Sequence, residues 1–364
     1  MKNRKLIILF LITLAVILAA GITAKIRAPQ KSLEKTALFP DLVNHINDVS
    51  RIVIKGYDKT VELKQNDKDW VITSSDNYPA LFNKVRAVVI NMADLKIVDK
   101  KTDNPELYSR LGVEGPDVKD TSSLLITLYD NENQIPASLI VGQPRQSSSS
   151  QPGLYVRKPD EKTALLVEGT IDITADQKGW FQQSLFDIPK DRVKAVKILF
   201  ADGSDYEIFK ENPAQADFQI PGQKEDTSGK SATSIILNRL ANGLQEMRAD
   251  DVKAAENFSF PDDTITTTVT TFDGLVITAR LASVNDMTFA NFTFNTDPEL
   301  ASRNTGTDNT KTETPSQKSN ISEVAQSMND AMANWVYQIP DYKYEALTTS
   351  PDSIKKLMKT IPAK

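Results

Sequence analysis

Residues 51–72, RIVIKGYDKTVELKQNDKDWVI, contain three short runs in which apolar residues alternate with polar ones. The apolar positions of these runs are Ile52 and Ile54, Val61 and Leu63, and Trp70 and Ile72. Alternation with a period of two is typical of strands with one buried face, and turn-forming residues separate the runs. The stretch therefore predicts three neighbouring strands at the start of an antiparallel sheet.

The residues that follow predict one helix and four more strands. Asn77 is a candidate cap for a helix from Ala80 to about Val98, because a proline at position 79 suits a first helical turn. Apolar residues recur along one face of this helix. Further strands are predicted at residues 124–130, 138–142, 154–158 and 164–169, and a helical piece with Trp180 and Phe181 closes the unit at Pro189.

The same order of elements begins again at Asp191, which indicates an internal duplication. Six segments match in order at offsets of 143 to 152 residues: Ile52 and Ile54 with Val196 and Ile198, 61–63 with 206–208, 70–72 with 218–220, 94–96 with 246–248, 126–130 with 269–273, and 186–189 with 337–340. A single match would be chance, whereas six in one order favour duplication. The expected boundaries are residues 48–189 for repeat 1 and residues 190–341 for repeat 2.

Repeat 2 differs from repeat 1 by an insert at residues 295–320, which is rich in Ser, Thr, Asn and Asp and is predicted to be a mobile loop. A helix is predicted at residues 321–336. Residues 342–364 are expected to add one strand and a short helix that starts at Pro351. Because short adjacent strands favour antiparallel pairing, the predicted fold class is α+β.

The N-terminal region predicts a membrane anchor. Residues Leu6–Ala24 carry no charge over 19 positions, and a helix of that length spans about 28 Å, close to the hydrocarbon core of a bilayer. Residues 1–5 form a basic segment before it, and residues 25–47 are interpreted as a stalk. A cleaved signal, cut after Ala24, stays open as an alternative, although its apolar core is usually shorter.

This layout predicts a single-pass protein of the inner (cytoplasmic) membrane, with the N-terminus inside and the bulk in the periplasm or outside. Basic residues flank both ends of the span, so their distribution gives no separate indication of orientation. The absence of cysteine excludes disulfides and a lipid-modified cysteine. The net charge of −5 gives no basic footprint for a nucleic-acid partner.

Histidine and cysteine, which are common in catalytic and metal sites, are scarce: the chain has one histidine and no cysteine. The single histidine, His45, lies in the predicted stalk, where a surface role is more typical than a catalytic one. Zinc and haem sites of the usual types need several Cys or His ligands. The sequence therefore predicts no catalytic residues, no cofactor and no metal.

Two short motifs resemble ligand loops. Gly229-Lys230-Ser231 resembles the end of a phosphate-binding loop, but that motif requires a glycine where the chain has Lys224, so Ser231 is interpreted as a helix cap. Asp202-Gly203-Ser204-Asp205 resembles half of a calcium loop without the later glutamate. A hairpin turn is the more typical use of residues 202–205.

Paired acidic residues and tryptophans have two interpretations each. Asp250-Asp251 and Asp262-Asp263 are candidates for acid–base chemistry or glycoside cleavage, although adjacent aspartates at element ends more often act as solvated caps.

Trp70, Trp180 and Trp335 are candidates for a carbohydrate-stacking face. The pattern favours core packing for Trp70 and Trp335.

Several of these segments together resemble the domain-of-unknown-function family 4340. They are 70–72, Tyr78-Pro79-Ala80 opening a helix that ends at Leu95-Lys96, Tyr108 to Val113, Gly142, and Leu154 to Arg157. The resemblance covers repeat 1 well and repeat 2 through the duplication. It implies an anchored bacterial envelope protein, of a kind associated in some cases with gliding-type ABC transport systems, and it implies no catalytic residues.

Three functions are therefore expected, in decreasing order of support. The first is a non-catalytic, membrane-anchored auxiliary subunit of an ABC-type transport complex, with a permease and a nucleotide-binding subunit as partners. The second is a bivalent binding module for an envelope polymer or ligand, which would use both repeats. The third is a hydrolase that uses the paired aspartates.

Overall fold

The computed structural model describes residues 36–67, 69–145, 152–222, 232–304 and 320–354. The chain divides into two compact units. Unit 1 takes the described residues up to Lys59 and those of Arg86–Ala175. Unit 2 takes the residues of Thr60–Val85 and the described residues from Asp176 onwards. The chain therefore enters unit 2, returns to unit 1 and enters unit 2 again.

Strands dominate both units. In chain order, the strands of the described residues are β1 (Thr36–Ala37), β2 (Val49–Lys55), β3 (Thr60–Asn66), β4 (Asp69–Ile72), β5 (Tyr78–Pro79), β6 (Lys96–Thr102), β7 (Leu124–Asp130), β8 (Ala137–Pro144), β9 (Gly153–Arg157), β10 (Ala164–Glu168), β11 (Ser184–Phe186), β12 (Val193–Leu199), β13 (Asp205–Phe209), β14 (Met247–Arg248), β15 (Asp251–Ala254), β16 (Ile265–Thr271), β17 (Leu275–Val284), β18 (Met287–Thr296) and β19 (Trp335–Gln338).

The α-helices are short. In the described residues they are α1 (Phe82–Ala93), α2 (Ala232–Ala241), α3 (Pro298–Asn304), α4 (Ile321–Met332) and α5 (Asp341–Leu347), and residues 351–354 are also helical, as predicted from Pro351. The boundary between the two units falls inside α1. Short 3-10 helices, among them Leu42–Asp48 and Asn242–Leu244, connect several elements.

The strands of unit 1 lie in the order β1-β6-β10-β9-β8-β7-β2 and pair antiparallel. Ile52 of β2 faces Leu128 of β7, and Ile54 faces Ile126. All four side chains are buried. The alternation that predicts a strand in the sequence therefore supplies one face of the unit 1 core.

The larger sheet of unit 2 has the order β13-β12-β16-β17-β18-β19-β15. Its longest pair, β17 and β18, is joined by Asn285 and Asp286, whose φ angles are 52° and 60°. Two consecutive left-handed residues are characteristic of the type I′ hairpin turn, and asparagine and aspartate tolerate that conformation. Unit 2 also contains the antiparallel strands β3-β4-β5 and the short pair β11-β14.

Five strands follow the same order in each unit. Unit 1 contains β2-β7-β8-β9-β10, and unit 2 contains β12-β16-β17-β18-β19, with antiparallel pairing throughout. The sequence matches cover two of these five pairs, β2 with β12 and β7 with β16, whereas the match of 186–189 with 337–340 places β19 opposite β11. The repeat boundaries at residues 48–189 and 190–341 stay a prediction.

The structure corrects the expected single-pass architecture and inner-membrane location. Within residues 36–354, apart from the gaps given above, no helix is long and apolar enough to cross a bilayer. The longest helices there, α1 and α4, have 12 residues each, whereas a membrane span needs about 20. The predicted transmembrane segment at Leu6–Ala24 and its cleavage alternative lie outside the described residues.

The described part of the predicted stalk is built into unit 1. Thr36 and Ala37 pair with β6, and the side chains of Leu38 and Leu42 are 2% and 1% exposed. Apolar burial of this kind fixes a segment to its unit. Residues 36–47 are therefore part of the folded unit, not a connecting stalk.

Other element boundaries also differ from expectation. The first helix is Phe82–Ala93, shorter than residues 80–98, because Tyr78 and Pro79 pair with β4 and β6 begins at Lys96. The insert predicted at 295–320 starts with the end of β18 and with α3, and residues 305–319 are not described. Where a strand was expected from Tyr342, the chain forms α5.

Candidate functional site

His45 lies on the surface of unit 1. It belongs to the 3-10 helix Leu42–Asp48, and its Nδ1 is 2.7 Å from Oδ2 of Asp48. Both side chains are more than half exposed. An exposed pair within one turn contributes little to stability and forms no pocket for chemistry.

Residues 202–205 form the turn between β12 and β13. The carboxylate of Asp202 accepts hydrogen bonds from the backbone N and the hydroxyl of Ser204, at 2.9 and 2.6 Å, and these bonds lower the pKa of Asp202. Gly203 has a φ of 82°, which glycine adopts without strain. The interpretation as a hairpin turn is thus confirmed. Gly229-Lys230-Ser231 lies outside the described residues.

The paired aspartates differ in environment. Asp251, on β15, accepts a hydrogen bond from Nε2 of Gln177 at 2.6 Å and from the backbone N of Val252 at 2.7 Å. Burial raises the pKa of Asp251. Asp250 is exposed, and Asp262 and Asp263 are exposed in a turn. Within the described residues, no three His, Asp or Glu side chains are grouped to hold a metal ion.

The three tryptophans do not share an exposed face. Trp70 is 7% exposed and Trp180 is fully buried. Trp335 is half-buried at the start of β19, where its ring packs against that of Tyr78. The core interpretation is confirmed for Trp70, whereas Trp335 belongs to a strand and not to the predicted helix at residues 321–336.

A cleft of about 280 Å³ in unit 2 is the strongest candidate for a functional site. Its walls come from the end of α2, from the segment that follows α2, and from α5. They comprise Arg239, Asn242, Gly243, Gln245, Glu246, Tyr342, Lys343 and Ala346. We call it the Arg239–Lys343 cleft. It combines two cationic groups, one carboxylate, two amides and one phenol ring.

Lys343 is the most buried charged group of the cleft, with 7% of the residue exposed. Its Nζ donates a hydrogen bond to the carbonyl oxygen of Gln245. Burial lowers the pKa of Lys343, and the nearby carboxylates of Glu246 and Asp187 oppose that effect by stabilising the ammonium. One bond to a carbonyl leaves two of the three ammonium protons available to another acceptor.

Arg239 supplies the second cation from the last turn of α2. Its Nη2 donates to Oε2 of Glu345 at 3.1 Å, and both side chains are more than half exposed. A pair of this exposure is weak. The guanidinium has further N–H groups with which to bind an acceptor.

Glu246 and Gly243 fix the backbone on one wall. Glu246 has a φ of 47°, an uncommon conformation for a residue with a side chain, and its backbone N donates to Oδ1 of Asp187 at 2.8 Å. At Gly243 an added Cβ would lie 2.5 Å from Cδ2 of Leu347. The absence of a side chain therefore lets α5 approach this segment closely.

Asn242 carries an unused acceptor on the same wall. Its Oδ1 is buried and has no hydrogen-bond partner. A buried acceptor without a donor costs about 1–3 kcal/mol. Because this oxygen is shielded from solvent, it belongs to the interior of the wall and does not face the cleft.

Among the cleft residues, Glu246 lies in the repeat match at 246–248, and the sequence analysis assigned no binding role to any of them. Lys343 follows Tyr342 in a segment that was expected to be a strand, and a strand there would not bring Lys343 to Gln245. A lysine inside an apolar helical pattern is the available signal, because Lys343, Ala346 and Leu347 all lie on the buried face of α5.

Two of the segments that carry the family resemblance, Tyr108 to Val113 and the segment at Gly142, meet in unit 1. Gly112 has a φ of 66°, and the backbone N of Gln143 donates to the carbonyl of Leu111 at 2.9 Å. A side chain at Gly142 would collide with that carbonyl. The glycines of the two motifs therefore allow two backbone segments to approach.

Comparisons with known proteins give one match. A family described as a domain of unknown function (DUF4340) matches residues 70–264, which is more than half of the chain. In comparisons with curated proteins and with solved structures, nothing matched. With its glycine motifs, its strand order and this match, the chain belongs to the DUF4340 family.

Proposed function

We propose that the protein is a non-catalytic binding subunit, which acts as an auxiliary component of a larger transport complex. The supporting observation is the Arg239–Lys343 cleft, whose charged groups are held by internal partners. Arg239 is bonded to Glu345, and Lys343 is bonded to the carbonyl of Gln245. Lys343 is the ordered group of the two because it is buried, and a side chain that is already ordered loses less entropy on binding.

The partially buried carboxylate of Asp251 fits this proposal. It accepts hydrogen bonds from Gln177 and Val252 within its own unit. The bond from Gln177 holds the β15 segment next to the first residue of the 3-10 turn Gln177–Gly179. A structural role of this kind accounts for the burial of Asp251 without a substrate.

The partners that we propose are an ABC-type permease and a nucleotide-binding subunit. This part of the proposal rests on the family resemblance. Its test is affinity purification of the full-length chain from native cells in mild detergent, with quantification of the proteins that co-purify. We expect both partners in near-stoichiometric amounts. Recovery of the chain alone would overturn the proposal.

A matched pair of variants tests whether the cleft takes part. Tyr342 is 57% exposed in the cleft, and Tyr57 is 46% exposed in unit 1. Tyr342→Ala is expected to reduce partner recovery or ligand binding, whereas Tyr57→Ala removes a similar exposed ring elsewhere and should change neither. Equal behaviour of the two variants would argue against the cleft.

A second candidate function is bivalent binding of a polymer or small ligand through the two sheets. The observation that favours it is the common order of five strands in each unit. Two similar surfaces on one chain would strengthen binding to a repetitive ligand. A repetitive ligand should then raise the melting temperature more than its single repeating unit does, and equal shifts would contradict this alternative.

A further inference from the structure

We infer that the open face of the larger unit 2 sheet is the contact surface for a second copy of this chain, in a dimer with two-fold symmetry. In this dimer Asp205 of each copy meets Arg280 of the other. The inference rests on one row of side chains that crosses four strands, and it is independent of the proposed transport partners.

The row follows from the register of the strands. Leu199 of β12 lies opposite Asp205 of β13 on one side and opposite Thr266 of β16 on the other. Thr266 in turn lies opposite Arg280 of β17. Residues directly opposite each other in antiparallel strands have their side chains on the same face of the sheet. The row therefore has an acid at one end, a base at the other, and uncharged side chains between them.

This face of the sheet is open to solvent. The apolar side chain of Leu199 is 44% exposed, and Asp205 and Arg280 are also exposed. On the opposite face, Ile198 and Val269 are buried. The core of unit 2 therefore lies on one side of these strands, and the row lies on the other side.

The corresponding face of unit 1 is covered by its own chain. Extended by one residue, the sequence match of 126–130 with 269–273 places Leu125 of β7 in the position of Thr268 of β16. Leu125 packs against a buried cluster that contains Tyr108 and Val113. Thr268 carries a hydroxyl and is half-buried. The two units therefore use this face differently, because unit 1 buries it within itself and unit 2 presents a polar surface.

Both charged ends of the row can bind a group from another copy. Asp205 is 2.7 Å from Nζ of Lys197, and the side chains of this pair are 47% and 53% exposed. Exposed pairs of this kind are weak. The guanidinium of Arg280 lies over the ring of Phe260, 4.3 Å from the ring centroid. That contact uses the face of the guanidinium and leaves its N–H groups available to a carboxylate.

The order of the row determines the symmetry of the contact. Adjacent strands are about 4.8 Å apart, so Asp205 and Arg280 are separated by about 14 Å. A two-fold axis parallel to the strands, midway between β12 and β16, places the row of one copy over the reversed row of the other. Each Asp205 then meets an Arg280, and each exposed Leu199 is covered by a Thr266. The surface is therefore complementary to itself, as a two-fold interface requires.

The area of the face limits the strength of the dimer. The strands β13, β12, β16 and β17 are neighbours in the sheet and form a face about 20 Å wide. The strands β12 and β16 have seven residues each, which corresponds to a length of about 23 Å. Such a face is smaller than the roughly 800 Å² per partner of a standard interface. We therefore expect a reversible dimer with a Kd on the order of 10–100 µM.

The test is sedimentation equilibrium of the full-length protein in mild detergent, from about 1 µM to about 500 µM, a range that includes the expected Kd. Asp205→Arg and Arg280→Asp should each weaken the dimer at least tenfold, because each change places like charges opposite one another at both contacts. An equimolar mixture of the two variants should associate again, since every contact of the mixed dimer joins an acid and a base.

The exposed Lys178, outside the row, provides the control, and Lys178→Asp should leave the dimer unchanged. Melting temperatures close to that of the parent show that the variants are folded. The double variant Asp205→Arg/Arg280→Asp exchanges the two charges and should dimerise like the parent. A parent that stays monomeric over the whole range, or a dimer that neither single variant weakens, would overturn the inference. A mixture that associates no better than either variant alone would overturn it as well.

Discussion

The ring of Tyr78 packs edge-on against the ring of Trp335, with 4.8 Å between the ring centroids and 83° between the ring planes. Tyr78 also meets Phe181 at 5.6 Å and Tyr337 at 6.3 Å, again at steep angles. Burial raises the pKa values of both tyrosines. Edge-to-face contacts of this kind join β5 and β19, which lie far apart in the sequence of unit 2.

Replacement of Tyr78 by alanine is expected to lower the free energy of unfolding by about 2–4 kcal/mol, because three edge-to-face contacts and a largely buried ring are lost. Tyr78→Phe keeps the ring and should cost about 1 kcal/mol or less. Denaturant unfolding followed by tryptophan fluorescence measures both. Tyr57→Ala, an exposed control, should change stability by about 0.5 kcal/mol or less. Equal effects of Tyr78→Ala and Tyr57→Ala would contradict the packing argument.

The burial of Asp251 predicts a pH-dependent loss of stability, which its hydrogen bonds oppose. Its folded-state pKa lies above the ordinary value of 3.8, so the folded state binds more protons than the unfolded state between 3.8 and the raised pKa. Stability is therefore lost as the pH rises through that interval. Asp251→Asn keeps an acceptor for Gln177 and Val252 and should remove this loss.

Urea unfolding between pH 3.5 and 7 tests this expectation. The advantage of Asp251→Asn over the parent should grow as the pH rises from about 3.8 and then level off. The exposed neighbour Asp250→Asn should stay within about 0.5 kcal/mol of the parent. Joint replacement of Asp250, Asp251, Asp262 and Asp263 without loss of function would eliminate the hydrolase alternative. A strong loss of stability in Asp251→Asn would show that the charge itself is required.

Lys343 gives a pH dependence at the alkaline end. Its folded-state pKa lies below 10.5, so the unfolded state binds more protons between the lowered pKa and 10.5. Stability contributed by this group rises with pH over that interval. The difference in unfolding free energy between the parent and Lys343→Met should rise accordingly.

Glu246→Gln provides the second variant for this measurement. It removes a carboxylate that stabilises the Lys343 ammonium, so the folded-state pKa of Lys343 should fall further. The rise of stability with pH should then begin at a lower pH than in the parent. Guanidinium unfolding at stepped pH values up to about 10.5 checks both statements. A parent and a Lys343→Met curve that run parallel over the whole range would show that Lys343 is not desolvated.

Gly243→Ala tests the approach of α5 to the cleft wall. The new methyl group would lie 2.5 Å from Cδ2 and 2.8 Å from Cγ of Leu347, a fully buried side chain. Overpacking of this kind costs about 1–3 kcal/mol. The double variant Gly243→Ala/Leu347→Ala should lose less stability than the sum of the single losses. Strict additivity would show that the two positions do not touch.

The strands of unit 1 were predictable because their pattern is local. The segment at residues 124–130 has the predicted bounds, and in β2 the buried Ile52 and Ile54 alternate with half-buried neighbours, as the period-two pattern predicts. Strand β6 was missed because its residues are mostly half-exposed and carry three lysines and an aspartate. Its place is fixed by pairing with β10, which is a tertiary contact.

The cleft was not predictable because it depends on contacts distant in sequence. Gln245 and Lys343 are joined by a hydrogen bond across 98 positions. The sequence around Tyr342 alternates polar and apolar residues closely enough to suggest a strand, and tertiary packing against Gly243 favours a helix instead. The motifs that sequence reasoning did examine, at His45 and at residues 202–205, are local surface features.

The discontinuity of unit 2 has a consequence for the order in which the chain is synthesised. Residues 60–85 leave the ribosome long before Asp176, yet they belong to the same compact unit as the residues from 176 onwards. The ring of Tyr78 therefore cannot form its contacts with Trp335 and Tyr337 until nearly the whole chain has been synthesised. A premature stop before β19 would leave the Tyr78 ring without these two partners, so truncated chains should be sensitive to proteases at residues 60–85.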